Sequence, residues 1–286
     1  MPTSREIQTR LGSARGLREI VHSMRSLAAI SLRRAEEGLA TAREYRALAG
    51  GLLSTVAPPL GPVARRGAGR GVAAVVVFTS DQGLCGQFNE RTVDFALSEA
   101  GRLQAECRFI VVGERGAAIF EERGVAVLSR EGSPRGPAGI GPAVRGLALD
   151  LAELHGARQI DTLQLVYSRH ESAGRYYPVR LPVLPPLLEP PQPRRRGRPP
   201  FLYTSPEATA AVLLEEYVFS EIHGALSESL ASENGARLRA MDEALHGMDE
   251  TIEALGQQYR TMRQEEITAE ILDVVGGAEA LKSKPR

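Results

Sequence analysis

Two long stretches without proline bracket the chain, and both carry apolar residues at helical spacing. In residues 5–56 a seam runs through Ile7, Leu11, Ala14, Leu17, Val21, Met24, Ala28, Leu32, Ala35, Leu39 and Ala42. Its steps average 3.5 residues, the repeat of supercoiled helices rather than of one straight helix. The many alanines let a partner helix come close. Gly12, Gly16 and Gly38 each cost roughly 1 kcal/mol against alanine, so this helix depends on that partner. "APPLGP" (Ala57–Pro62) stops it. The second stretch opens at "TSPEA" (Thr204–Ala208), where Ser205 suits an N-cap, Pro206 the first helical position and Glu207 the first turn. Within it Met241, Leu245, Met248, Ile252, Leu255, Tyr259 and Met262 alternate steps of four and three. The next seam position is a charge, Glu266. The apolar set resumes one residue later at Ile267, Ile271 and Val274, so the seam breaks at "RQEEIT", Arg263–Thr268.

Residues 72–184 have a different rhythm. Val72–Phe78, Cys107–Val112, Val125–Leu128 and Ile160–Tyr167 read as strands. Asn89–Ala100, Glu114–Arg123 and Ala143–Leu154 read as helices. Strands alternating with helices predict a mostly parallel, Rossmann-like sheet with helices packed on it. After Tyr177 the pattern dissolves into a proline-rich connector, residues 178–203, which contains "PRRRGRPP". The expected organisation is a first helix over 1–60, an α/β domain over 70–200 and a last helix over 205–286. Both long helices join the α/β insert at their inner ends, so they run antiparallel as a coiled coil. Charge agrees with this pairing. Residues 1–50 hold nine arginines and five glutamates, whereas residues 237–275 hold four arginines and nine acids.

The whole chain of 286 residues is balanced, with 35 basic and 35 acidic side chains, so no global field points to nucleic acid. Tryptophan is absent and aromatics make up 5%, as alanine- and leucine-rich helices would produce. Two cysteines, Cys85 and Cys107, make neither a disulfide framework nor a four-ligand zinc site. A reduced compartment is the simplest setting. No run of about 18 apolar residues is free of charge, and "MPTSREIQTR" lacks the core of a signal peptide. Any membrane association is therefore expected through a partner.

The stretch with most chemical promise is "TSDQGLCGQFN", Thr79–Asn89. It lacks the lysine and hydroxyl of a phosphate-binding P-loop and does not match G-x-G-x-x-G. Cys85 at a strand-to-helix turn could act as a nucleophile, but it needs a base. None of His22, His155, His170, His223 and His246 is an obvious mate. Alternatively, Gly83 and Gly86 shape a tight loop and Cys85 packs or faces a partner. "LRRA" (Leu32–Ala35) sets two arginines beside the first seam. "SENGARLRAM" (Ser232–Met241) puts Arg237 and Arg239 on the last helix. No metal motif occurs, and no cofactor is expected.

Taken in order, these pieces resemble the gamma subunits of F-type ATP synthases. The resemblance rests on Ile7 and Arg10, Ile20, Met24, "LAA" (Leu27–Ala29), "LRRA", "TSDQGLCGQFN", "SPEA", "SENGARLRAM", "RQEEIT" and "VVGGAEAL" (Val274–Leu281), and it covers nearly the whole chain. It implies a non-catalytic rotor shaft. The paired helices would stand inside a ring of alpha and beta subunits, with the α/β domain at the base beside the epsilon subunit and the c-ring. Rotation would couple ion flow to ATP synthesis or hydrolysis. It further implies partner contacts at Met24, Arg33, Arg34, Asp81, Cys85, Arg237, Arg263, Gln264 and Thr268. The implied location is peripheral, on the cytoplasmic face of a bacterial inner membrane. Two departures stand out. Glu265 replaces the small residue common there in the family, and "SMRSLAAISLRRA" carries fewer basic residues than usual. They point to a divergent bacterial branch, a sodium-linked one among the options. Two other readings stay open: an α/β enzyme using Cys85 or the glycine loop, and a coiled-coil scaffold outside any ATPase.

Overall fold

The computed structural model describes residues 3–56, 71–186 and 202–282, with side chains as far as residue 275. The expected helix stop at 57–62, the "PRRRGRPP" run and most of the "VVGGAEAL" side chains lie outside the described residues. The two long helices are α1 (Ser4–Val56) and α5 (Pro206–Lys282), of 53 and 77 residues. A reciprocal capping box opens α1. The Glu6 carboxylate accepts the Thr3 N–H at 3.0 Å, and Thr3 Oγ1 accepts the Glu6 N–H at 3.3 Å. At α5 the expected cap is present: Ser205 Oγ accepts the Ala208 N–H at 3.2 Å.

Between them run β1 (Val72–Phe78), α2 (Phe88–Arg102), β2 (Glu106–Val112), α3 (Glu114–Glu122), β3 (Val127–Glu131), α4 (Ile140–Gly156), β4 (Thr162–Ser172) and β5 (Arg175–Leu184). They form a five-stranded sheet in the order β3-β2-β1-β4-β5. Every pair is parallel except β4 with β5. The mostly parallel sheet is the one expected. Its central strand β1 is buried on both faces, which is why it reads as an unbroken apolar run. On one face Val75, Val77, Phe109, Val111 and Val166 pack under α2 and α3. On the other, Ala74, Val76, Phe78, Ile110, Leu163 and Leu165 meet α4 together with parts of α1 and α5.

The structure corrects the connector. Residues 178–184, expected to be irregular, belong to β5 and pair with β4 across one register shift, between Leu163 and Gln164. Pro178 and Pro182 argue against a central strand because they lack an N–H. On an edge strand, alternate N–H groups have no neighbour to reach, so two prolines of the same parity do no harm. β3 likewise begins and ends later than expected, at Val127 and Glu131.

The molecule divides into two compact units, residues 27–240 and the two chain ends, residues 1–26 with 241–286. In the unit of the chain ends, Arg18 Nε donates to Asp249 Oδ1 at 2.6 Å, and Arg25 bonds Asp242. Seven residues forward on α1 meet seven residues back on α5, so the helices pair antiparallel, as expected. Here too the seam needs correction. Leu17 and Met24 are 54% and 37% exposed, and the half-buried positions beside them are Arg18 and Arg25. The repeat along α1 is therefore 7, 11, 14, 18, 21, 25, 28, more regular than its apolar letters suggest. Long arginine stems cover apolar surface while their heads reach acids across the seam. The α5 seam holds from Met241 to Met262 and continues through Glu266, which is half-buried and hydrogen-bonded to Ser4. Ile267, Ile271 and Val274, off that seam, are 43%, 57% and 72% exposed.

Candidate contact site

The loop that leaves β1 is held from within. Ser80 donates its backbone N–H to Asn89 Oδ1 at 3.0 Å and its hydroxyl to the Gln82 carbonyl at 2.8 Å. Asn89 Nδ2 donates in turn to Ser80 Oγ at 2.9 Å and to Cys85 Sγ at 3.4 Å. Asp81 Oδ1 accepts the N–H groups of Glu114 and Ser133, at 3.2 and 3.0 Å, which joins this loop to the ends of β2 and β3. The turn takes two left-handed residues, Leu84 at φ 62° and Gly86 at φ 56°. Glycine adopts that conformation freely, but leucine does so at a cost. The cost is accepted at a position where the leucine side chain is 59% exposed.

Cys85 follows the packing reading rather than the nucleophilic one. It is 2% exposed and packs with Phe88 and Ala236. Burial pushes its thiol up, with the Ser80 hydroxyl opposing. A nucleophilic cysteine needs the opposite shift and access to solvent, so the burial of Cys85 lends the catalytic reading no support. The thiol is also buried within this chain, so it offers no side-chain surface of its own. The loop presents Leu84 as its exposed apolar group, with Gln82 and Gln87 exposed beside it.

Arg237 is likewise drawn inward. From α5 it reaches the loop carbonyls of Gln82 at 3.2 Å and Gly83 at 3.4 Å, and it pairs with Glu233 at 2.7 Å. Its side chain is 14% exposed. Burial raises the Glu233 carboxyl above its ordinary range, and the Arg237 charge opposes that rise. Arg237 thus ties helix to loop within the chain. The structure brings Asp81, Cys85 and Arg237 together as one internally bonded corner of the α/β unit.

The other expected contact residues stand on the long helices. Arg33 and Arg34 are exposed, and Arg33 lies 3.5 Å from Glu37 one turn on. In the unit of the chain ends, Met24 continues an outward stripe with Leu17 and Ile20. Arg263 Nη1 donates to Glu266 at 3.2 Å, and Thr268 donates its hydroxyl back to the Gln264 carbonyl at 2.8 Å. Gln264 is exposed. Glu265, the departure noted in the sequence, is also exposed and leaves Arg263 to Glu266.

Sequence reasoning missed the polar groups of α5 where it crosses the sheet. Glu228, 1% exposed, accepts two bonds from Arg43, at 2.7 and 3.1 Å, and one from the His170 N–H at 2.9 Å. Glu221 accepts from Arg46 Nε at 2.8 Å. Ser229 and Ser232 donate to the Phe78 and Ser168 carbonyls. The one available signal was "SESLASEN" (Ser227–Asn234), polar on every side of a helix, which is stable only if its groups find partners. This crossing lies at the topological switch point, where the strand order reverses between β1 and β4. Doubly wound sheets take their ligands there. In this chain α5 fills the place.

The family model for ATP synthase matches residues 3–281. The ATP synthase gamma chain of Pelotomaculum thermopropionicum is 31% identical over 297 residues, covering 99% of this chain and all of the relative. That of Anaeromyxobacter sp. strain Fw109-5 is 33% identical at the same coverage. Among solved structures, the rotor of the Euglena gracilis mitochondrial ATP synthase aligns with a TM-score of 0.64 at 17% identity, over 92% of this chain and 98% of that one. The central stalk of the Tetrahymena thermophila enzyme aligns with a TM-score of 0.60 at 21% identity, over 79% of this chain and 99% of that one.

Proposed function

This chain belongs to the gamma chains of ATP synthase, the central rotor stalk of the F-type enzyme, and from that we propose that it works as a shaft with no catalytic site of its own. The observation that carries this is the filled switch point. The crevice where a doubly wound sheet binds a nucleotide is occupied by Ser229 and Ser232 of α5. The buried, raised thiol of Cys85 supports the same reading against an enzyme.

As a shaft it takes alpha and beta subunits around its paired helices, with the epsilon subunit and the c-ring at the α/β domain. Among the described residues no helix is long and apolar enough to cross a membrane. Its place is therefore peripheral, and for a bacterial chain on the cytoplasmic face of the inner membrane. A rotor biases its surroundings only through contacts that differ between orientations. Few and individually weak contacts suit that task, because each is broken in the next step. The exposed groups that fit are Leu84, Met24, Arg33, Arg34, Gln264 and Thr268, with Arg263 available when it leaves Glu266. Purification through a tag on this chain should bring down alpha and beta subunits at one copy for every three pairs. A folded chain that captures neither of them, or that binds ATP by itself in a dialysis assay, would contradict the reading.

A further inference from the structure

A rotor must pass a turning moment from its helix pair into its base. Apolar packing is poorly suited to this, because hydrophobic contact is non-directional and a helix can slip about its axis with little change in buried area. Hydrogen bonds are directional and weaken steeply when misaligned. The question is therefore which bonds fix α5 against the sheet. The β1–β4 ladder ends at Val77 and Val166. Just past that end, the Phe78 carbonyl accepts from Ser229 Oγ at 3.3 Å, and the Ser168 carbonyl accepts from Ser232 Oγ at 2.8 Å. The two serines lie three residues apart and so share one face of the helix. They are 3% and 0% exposed, so water cannot substitute for either bond. The Ser168 hydroxyl is held in turn by Thr92 of α2 at 3.0 Å, which extends the connection to the far side of the sheet.

We propose that Ser229 and Ser232 are positioning residues that key α5 to the carboxyl ends of β1 and β4, so that rotation of the helix turns the α/β domain with it. The crevice that holds a ligand in other doubly wound sheets here holds the keyed helix. The proposal rests on the rotor reading. It is tested in the assembled ATP synthase in inverted membrane vesicles, by measuring ATP hydrolysis and ATP-driven ion pumping together, the latter with a membrane-potential dye. The Ser229→Ala/Ser232→Ala double variant is expected to assemble and to hydrolyse ATP, with a loss of pumping per ATP hydrolysed. Ser232→Ala alone, which removes the shorter bond, should show part of that loss. Unchanged pumping per ATP in the double variant overturns the key, as does the same result in Ser232→Ala if the double variant does not assemble. Wild-type vesicles that hydrolyse ATP but never pump would overturn the rotor reading instead.

Discussion

Arg43 and Glu228 form a two-pronged ion pair between α1 and α5, at 2.7 and 3.1 Å, with only the arginine open to water. The side chains are 49% and 1% exposed. The pair is therefore asymmetric, and its two halves are not equivalent to remove.

Arg43→Ala strands a buried carboxylate, with the His170 N–H as its remaining donor. Breaking a buried pair in that way costs about 3–5 kcal/mol, and the half-exposed arginine places this case at the lower end. Glu228→Gln keeps one acceptor oxygen, which can still take the His170 N–H, while its amide nitrogen faces Arg43, which is free to turn to water, so about 1–2 kcal/mol is expected. Urea unfolding of the two variants checks the order. Equal losses would mean that the carboxylate is better solvated than its burial indicates.

Arg237→Gln should make stability depend more steeply on pH. Glu233 is an acid whose carboxyl is raised on folding. The folded state then holds its proton more tightly than the unfolded one, so its contribution is best at low pH and is lost as pH rises through the folded value. Removing Arg237, which opposes the rise, enlarges that loss. The variant should come nearest to wild type in acid, below the ordinary carboxylate range, and fall behind as pH rises, as read by unfolding across pH. A gap independent of pH would dissociate Glu233 from the effect.

Thiol labelling separates the two cysteines. Cys85 is buried and Cys107 only partly so. Burial raises both thiols. Maleimide should therefore modify Cys107 first in the folded chain. In a Cys85→Ser background, Leu84→Cys should cross-link to a beta subunit more readily than native Cys85 does. Faster reaction at Cys85 in either experiment would show that the loop opens.

Replacing Arg263 and Gln264 together with alanine should slow ATP turnover by the assembled complex more than it reduces assembly. Glu266→Ala, which releases Arg263 from its 3.2 Å bond, should shift turnover without touching assembly. Turnover unchanged in both would remove this segment from the contact surface.

Much of the fold is legible in the letters. Absence of proline, a 3.5-residue repeat and the Ser205-Pro206 cap mark the long helices. The run "VAAVVVF" marks a strand buried on both faces, and opposite charge in the two arms marks their pairing. Each is a local preference or a sum over many residues, so it survives without knowledge of neighbours. The capping box at Thr3 and Glu6 was legible by the same rule and is spelled out in "TSRE".

Tertiary structure decided the rest, because the remaining choices depend on which groups meet across space. Arginine at 18 and 25 reads as surface until an aspartate stands opposite, and then it belongs to the seam. Two prolines forbid a central strand but not the edge strand that β5 becomes. Arg237, and Cys85 in one of its readings, looked outward because a charge and a reactive thiol usually do. The same loop folds back on the thiol and offers its carbonyls to the guanidinium, turning both inward. Leu84, an apolar letter with no motif value, is left exposed. Burial and pairing are set by long-range geometry, and along a single chain that geometry exists only after folding.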